Sequence, residues 1–266
     1  MPSQSAVRVV LLFLLASAAA PVAVAIVNGT PVSDERFDAE FGWAVALENG
    51  PDNVCSAMLI APRWVLTAAH CTAPGSSVRI GHADRGRAAV RRVAGAYPHP
   101  LYDPRSGAFD VGLLRLEEAA SAPVVRIAGT TSLVREAAPA LILGWGRRAS
   151  AQGFSQRLVV SDIELRDLLR EESRFAYRDA ASGPCGGDSG GPLLLRGADG
   201  GWLLAGVASR VVGDLCADGG GIGIYTDVAA VSEFIRQHVA EVPAGSSRTP
   251  IMRSSADAGV RGQPPR

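Results

Sequence analysis

The chain has 266 residues, 47% of them hydrophobic, enough for one large all-β unit or two small domains whose core needs no metal to hold it. Its 26 basic and 26 acidic residues cancel, which argues against nucleic acid or an anionic membrane surface as the main partner. The four cysteines, Cys55, Cys71, Cys185 and Cys216, form an even set with no Cys-x-x-Cys pair, and no His-x-x-x-His accompanies them. Zinc is therefore disfavoured, and two disulfides in an oxidising compartment are expected.

Residues 1–25 read as a secretory signal: Arg8 in the n-region, an apolar run over 9–20, then Ala23-Val24-Ala25 as an A-x-A cleavage site. The competing reading is an uncleaved anchor, against which Pro21 and the alanine-rich end speak. Ile26-Val27-Asn28-Gly29-Thr30 follows directly. From Phe41 onward short apolar runs are broken by turn residues, the pattern of an all-β sandwich or barrel. Strands are expected over 43–47, 54–60, 64–68, 89–96, 111–116, 140–144, 158–165 and 202–209.

The run Leu66-Thr67-Ala68-Ala69-His70-Cys71 puts a histidine at the end of an apolar strand, where it could be a structural residue or a metal ligand. Arg85, Arg87, Arg91 and Arg92 read as a solvated basic loop, and Asp84 alone is too little for calcium. In Phe109-Asp110-Val111-Gly112-Leu113 an acid stands at the edge of an apolar strand, which is costly unless it is paired, or else marks a turn. After Gly144-Trp145-Gly146 the segment 162–170 is highly charged and reads as more helical. Cys185-Gly186-Gly187-Asp188-Ser189-Gly190-Gly191-Pro192-Leu193 flanks a serine with glycines, which suits either a polar turn or an exposed nucleophile. Asp227, Val228, Val231, Ile235 and Val239 suggest an N-capped amphipathic helix, and 242–266 has the composition of a disordered tail.

Taken together, the runs at 26–30, 55–71, 109–116, 144–146 and 185–193 resemble the chymotrypsin-like (trypsin-family) secreted serine peptidases, over about 26–239. The resemblance implies two six-stranded antiparallel β-barrels with a C-terminal helix, as one domain over 26–241. It implies His70 as general base, Asp110 as its orienter and Ser189 as nucleophile, in the chain order of the chymotrypsin group. The backbone N–H groups of Gly187 and Ser189 would form the oxyanion hole, and the bridges would be Cys55–Cys71 and Cys185–Cys216. The freed amino group of Ile26 would pair with Asp188. Gly183, Ser209, Arg210, Val211 and Gly223 would shape the substrate site. Lacking an acid at 183, that site is expected not to be trypsin-like, and Val211 narrows it toward small or medium apolar P1 side chains. Arg210 stands where relatives usually carry an aromatic, either to attract acidic groups on the substrate or to lie along the surface. No cofactor or metal is expected. The partners implied are protein or peptide substrates and proteinaceous inhibitors of a monomer that is not inserted in a membrane after signal cleavage. The alternative is a non-catalytic binding protein on a peptidase scaffold.

Overall fold

The computed structural model describes residues 26–50, 53–147, 153–179, 182–213, 216 and 221–239. The expected signal (1–25) and tail (242–266) lie outside the described residues. In chain order the strands are β1 (Thr30–Pro31), β2 (Ala44–Glu48), β3 (Val54–Ala61), β4 (Trp64–Thr67), β5 (Ser77–Ile80), β6 (Ala89–Pro98), β7 (Gly112–Leu116) and β8 (Arg126–Ile127). They continue as β9 (Pro139–Gly144), β10 (Val159–Glu164), β11 (Arg166–Arg170), β12 (Arg174–Arg178), β13 (Pro192–Arg196), β14 (Trp202–Val212) and β15 (Ile222–Asp227).

The first unit is a closed six-stranded barrel in the order β2-β3-β4-β7-β6-β5. Its middle strand β3 is buried at every position, so it reads as one continuous apolar run, whereas β6 alternates between half-buried and exposed residues as a strand with one wet face does. The second unit is barrel-like but larger than the six strands expected. Nine strands belong to it, in the order β1-β10-β9-β13-β14-β15-β12-β11, with β8 parallel to β14. The additions are two-residue strands and the hairpin strand β11, which are too short or too polar to stand out as apolar runs.

The two units share apolar side chains. Leu141 and Leu143 of β9, Leu194 of β13 and Leu204 and Val207 of β14 join the cluster filled by the first barrel. Their chain neighbours Ala140, Ile142, Leu193, Leu195, Leu203 and Ala205 pack instead with Phe175, Tyr177 and Tyr225 in the second core. The two-residue period of an extended strand thus lets one sheet serve two cores. Gly190 sits at this seam with φ +77°, where a Cβ would overlap the Thr67 hydroxyl and the Ser56 carbonyl.

Three expectations are corrected. Residues 162–170 form strands, because β10 pairs with β9 from Val159↔Gly144 to Glu164↔Pro139 and β11 folds back on β12. Long-range pairing there outweighs local helical preference. The C-terminal helix spans Ser232–His238 and is capped by no side chain. Asp227 instead closes the preceding turn, accepting from the Ala229 N–H at 3.0 Å. The arginines at 85–92 are not one solvated loop: Arg85 pairs with Glu48 at 3.0 Å, and Arg91 and Arg92 lie in β6. Among the described residues no helix is long and apolar enough to cross a membrane.

Candidate active site

β4 ends in a single 3-10 turn, Ala69–Cys71, that carries His70. The turn is tied to β3 by the Cys55–Cys71 disulfide, whose Cα atoms are 6.3 Å apart. Closing this 16-residue separation contributes about 3 kcal/mol on a chain-entropy basis. Asp110 precedes β7, next to Phe109 in the left-handed region at φ 53°. The carboxylate is 1% exposed, so it needs partners, and it has them. Oδ1 accepts from the His70 backbone N–H at 3.1 Å, and Oδ2 receives His70 Nδ1 at 2.8 Å and the Ser209 hydroxyl at 2.6 Å. Burial pushes the Asp110 carboxyl up, but the bond and charge of His70 and the Ser209 hydroxyl outweigh it and hold the group below its ordinary value. An ionised carboxylate can only accept, so Nδ1 carries a proton, and in the neutral ring the lone pair is then on Nε2.

Ser189 is half-buried in the turn that follows Asp188. Its carbonyl accepts from the Ser56 N–H at 2.8 Å and lies 3.8 Å from Cys71 Sγ, which sets the turn beside the histidine. Among the described residues no hydrogen bond joins the Ser189 hydroxyl to His70, whose side chain is 34% exposed. Such contacts in ligand-free sites are commonly long and tighten when substrate arrives. The peptide at Gly187 has φ +96° and its carbonyl accepts from the Ser56 hydroxyl at 3.3 Å. Neither the Gly187 N–H nor the Ser189 N–H is taken by a protein acceptor among the described residues.

Asp188 points away from the serine into the interior and is 2% exposed. It accepts from the Gly146 N–H and the Cys185 N–H, each at 2.9 Å. A side chain at Gly144 or Gly146 would overlap the carboxylate, which explains the glycines around Trp145. Burial raises the Asp188 carboxyl to about 7, opposed by the N–H groups of Cys185, Gly146 and Ile26. Ile26 is itself buried, and the Val27 N–H bonds the Gly183 carbonyl at 3.1 Å.

A cavity of about 240 Å³ opens beside Ser189, with residues 184–186 on one wall and 208–211 on the other. Ser209, Arg210 and Val211 line it, whereas Gly183 and Gly223 do not. Gly183 is engaged with Val27, and the missing side chain of Gly223 leaves room for the Tyr177 and Tyr225 rings. The Cys185–Cys216 disulfide, with Cα atoms 5.2 Å apart, ties the first wall to the segment after β14. Cys55, His70 and Cys71 place ligand atoms within 4.8 Å of one another, but the sulfurs are joined to each other and offer no thiolate. Sequence reading missed Ser56, which binds the Ser189 turn, and Pro184. It also took Ser209 for a substrate contact and missed its bond to Asp110. An isolated serine carries no local pattern that would reveal such roles.

Two barrel-like β-units, with an imidazole–carboxylate pair from the first and a glycine-flanked serine beside a cavity in the second, define a chymotrypsin-fold protein. The family model described as Trypsin matches residues 26–235. Kallikrein-15 of Homo sapiens is 32% identical over 255 residues, covering 85% of this chain and 95% of that protein. Transmembrane protease serine 5 of Homo sapiens is 31% identical over 245 residues, covering 82% of this chain and 52% of that protein. Transmembrane protease serine 9 of Rattus norvegicus is 29% identical over 257 residues, covering 85% of this chain and 23% of that protein. The chain thus spans about half and about a quarter of the length of those last two relatives. The chain belongs to the trypsin family of serine peptidases.

Replacing Ser209 by alanine removes one of the donors that keep Asp110 ionised. The expected cost is about 1.5–3 kcal/mol at neutral pH, the range for a hydrogen bond to a charged group. Because the folded-state value of Asp110 is depressed, that contribution is present above the unfolded carboxyl value and is lost as pH falls through the folded one. Urea unfolding of both proteins across the acid range should show the two curves converging at low pH.

Proposed function

We propose that the protein is a secreted serine endopeptidase working through His70, Asp110 and Ser189. The observation that supports this reading is the Nδ1–Asp110 bond at 2.8 Å, which occupies one ring nitrogen of His70 and leaves Nε2 to act as the base. In the reaction, Ser189 Oγ attacks the substrate carbonyl carbon while its proton passes to His70 Nε2. The C=O bond becomes an oxyanion received by the Gly187 and Ser189 N–H groups, each worth roughly 3 kcal/mol in the transition state. On collapse the C–N bond breaks and Nε2 hands the proton to the departing amine, leaving an acyl-serine. Water, deprotonated by the same nitrogen, then releases the acid and restores Ser189. Asp110 stabilises the imidazolium formed in each half.

The peptidase unit of this proposal is residues 26–241, between a cleaved signal (1–25) and a tail (242–266). Cleavage after Ala25 converts the Ile26 N–H that now faces Asp188 into an ammonium. The charge would favour ionised Asp188 and raise the amine above its unfolded value, which is about 7.7–8.0. What the pair contributes is then present below that unfolded value and lost as pH rises through the folded one. For the primary site, a cavity lining that holds no carboxylate among the described residues, with Val211 in its wall, supports a preference that is not trypsin-like, for small or medium apolar P1 residues. The substrates are proteins or peptides.

Measurements on the triad, the N-terminus and the primary pocket test the proposal. A fluorophosphonate should label the exported protein and leave Ser189→Ala unlabelled, and Asp110→Asn should lower kcat by about 10⁴; no label on the native protein excludes the chemistry. N-terminal sequencing should begin at Ile26, with activity declining on the alkaline side; a start elsewhere with full activity removes the Asp188 pairing. A peptide library should favour Ala or Val at P1, and Val211→Gly should admit aromatic residues; an unchanged profile would show that Val211 does not form the wall.

A further inference from the structure

β14 leaves its partner β13 after the Pro192↔Val207 pair, and beyond the bulge at 208–210 it pairs only with β15. Its other edge, from Arg210 to Val212, is open and borders the same cavity as Ser189. An extended peptide can add to such an edge, its side chains alternating between the two faces. Along this edge stands one cation. The guanidinium of Arg210 reaches the loop between β6 and β7, where Nη1 donates to the Arg105 carbonyl at 3.3 Å. It lies so close over Gly107 that a Cβ there would overlap it.

Opposite charge lies near Arg210 without pairing to it. Asp103 of that loop is close enough that, after the Ser106 hydroxyl and the backbone N–H groups, the charge of Arg210 also helps to lower its carboxyl. Its oxygens, however, are taken by the Arg105 N–H at 2.9 Å, the Ser106 N–H at 3.2 Å and the Ser106 hydroxyl at 2.6 Å. Asp110 is committed to His70 and Ser209. Tyr102 is held neutral by burial, and the Arg174 guanidinium, which donates to the Ser106 carbonyl, pairs with Glu171. No carboxylate forms an ion pair with Arg210 among the described residues, in contrast to Arg85, Arg157 and Arg126, each of which has one. A guanidinium whose one hydrogen-bond acceptor among the described residues is a neutral carbonyl, set beside the cavity, retains most of its donors for an anion.

We infer that Arg210 selects substrates with an acidic side chain on the N-terminal side of the scissile bond, at P2 or P4. Those two positions share a face, and P1 and P3 occupy the other. The inference rests on the endopeptidase reading above and adds to it the class of substrate.

The test compares kcat/KM of the processed full-length protein for quenched peptides carrying Glu or Gln at P2, P3 and P4 in turn. The Glu/Gln ratio should be roughly 3 to 10 at P2 or P4 and near one at P3, the scale of a partly exposed ion pair. It should shrink when ionic strength is raised from about 0.05 to about 0.5 M. Arg210→Gln should bring the ratio to one, and Arg210→Glu should turn the preference toward Lys. A ratio near one at all three positions, or one that survives both substitutions, overturns the inference. If no peptide is cleaved, the endopeptidase reading fails on its own. Equilibrium binding of the same peptides to Ser189→Ala protein, with and without Arg210→Gln, then decides: tighter binding of Glu peptides only when Arg210 is present supports the inference, and equal affinities reject it.

Discussion

One buried carboxylate holds the two halves of this molecule in register. Asp110 comes from the first barrel, as does His70, but the hydroxyl that satisfies its second oxygen belongs to Ser209 of β14, and the hydroxyl of Thr226 in β15 bonds its backbone carbonyl at 2.9 Å. An ionised acid removed from water costs several kcal/mol unless donors surround it. Here the donors come from both units, so the buried charge is satisfied only when the barrels are docked in this arrangement.

The second buried acid is handled differently. Asp188 has backbone N–H groups as partners and two glycines that clear space around it, and its carboxyl remains well above the ordinary range. Two aspartates of nearly equal burial thus sit on opposite sides of their usual value, because one faces an imidazole and the other only neutral donors.

Local runs were legible in the amino-acid order, and relations between runs were not. Apolar stretches bounded by turn residues announced β3, β9 and β14, and the motifs around His70, Asp110 and Ser189 stood out because glycine, cysteine and acid occur at fixed offsets within a few residues. Residues 162–170 misled because charge density favours a helix locally, while their conformation is decided by β9 and β12, some 20 and 10 residues away. Ser56 and Ser209 carry no signal in their own neighbourhood, since their partners lie 131 and 99 residues away in the chain. Gly183 and Gly223 were assigned to the substrate site, yet Gly183 pairs with Val27 in an isolated bridge, and Gly223 stands where a side chain would press on the Tyr177 and Tyr225 rings.

The alternation of β9 and its neighbours between two cores has a consequence for how this chain can vary. A single residue inserted within β9 would reverse every following side chain, sending Leu143 where Ala140 and Ile142 belong and disturbing both interiors at once. Changes in chain length are therefore absorbed by the bends that join the strands. One such bend, 184–186, borders the cavity, whereas Arg210 and Val211 on its other side belong to a strand whose register is fixed. What the cavity accepts can thus be varied in length on one side and only by substitution on the other.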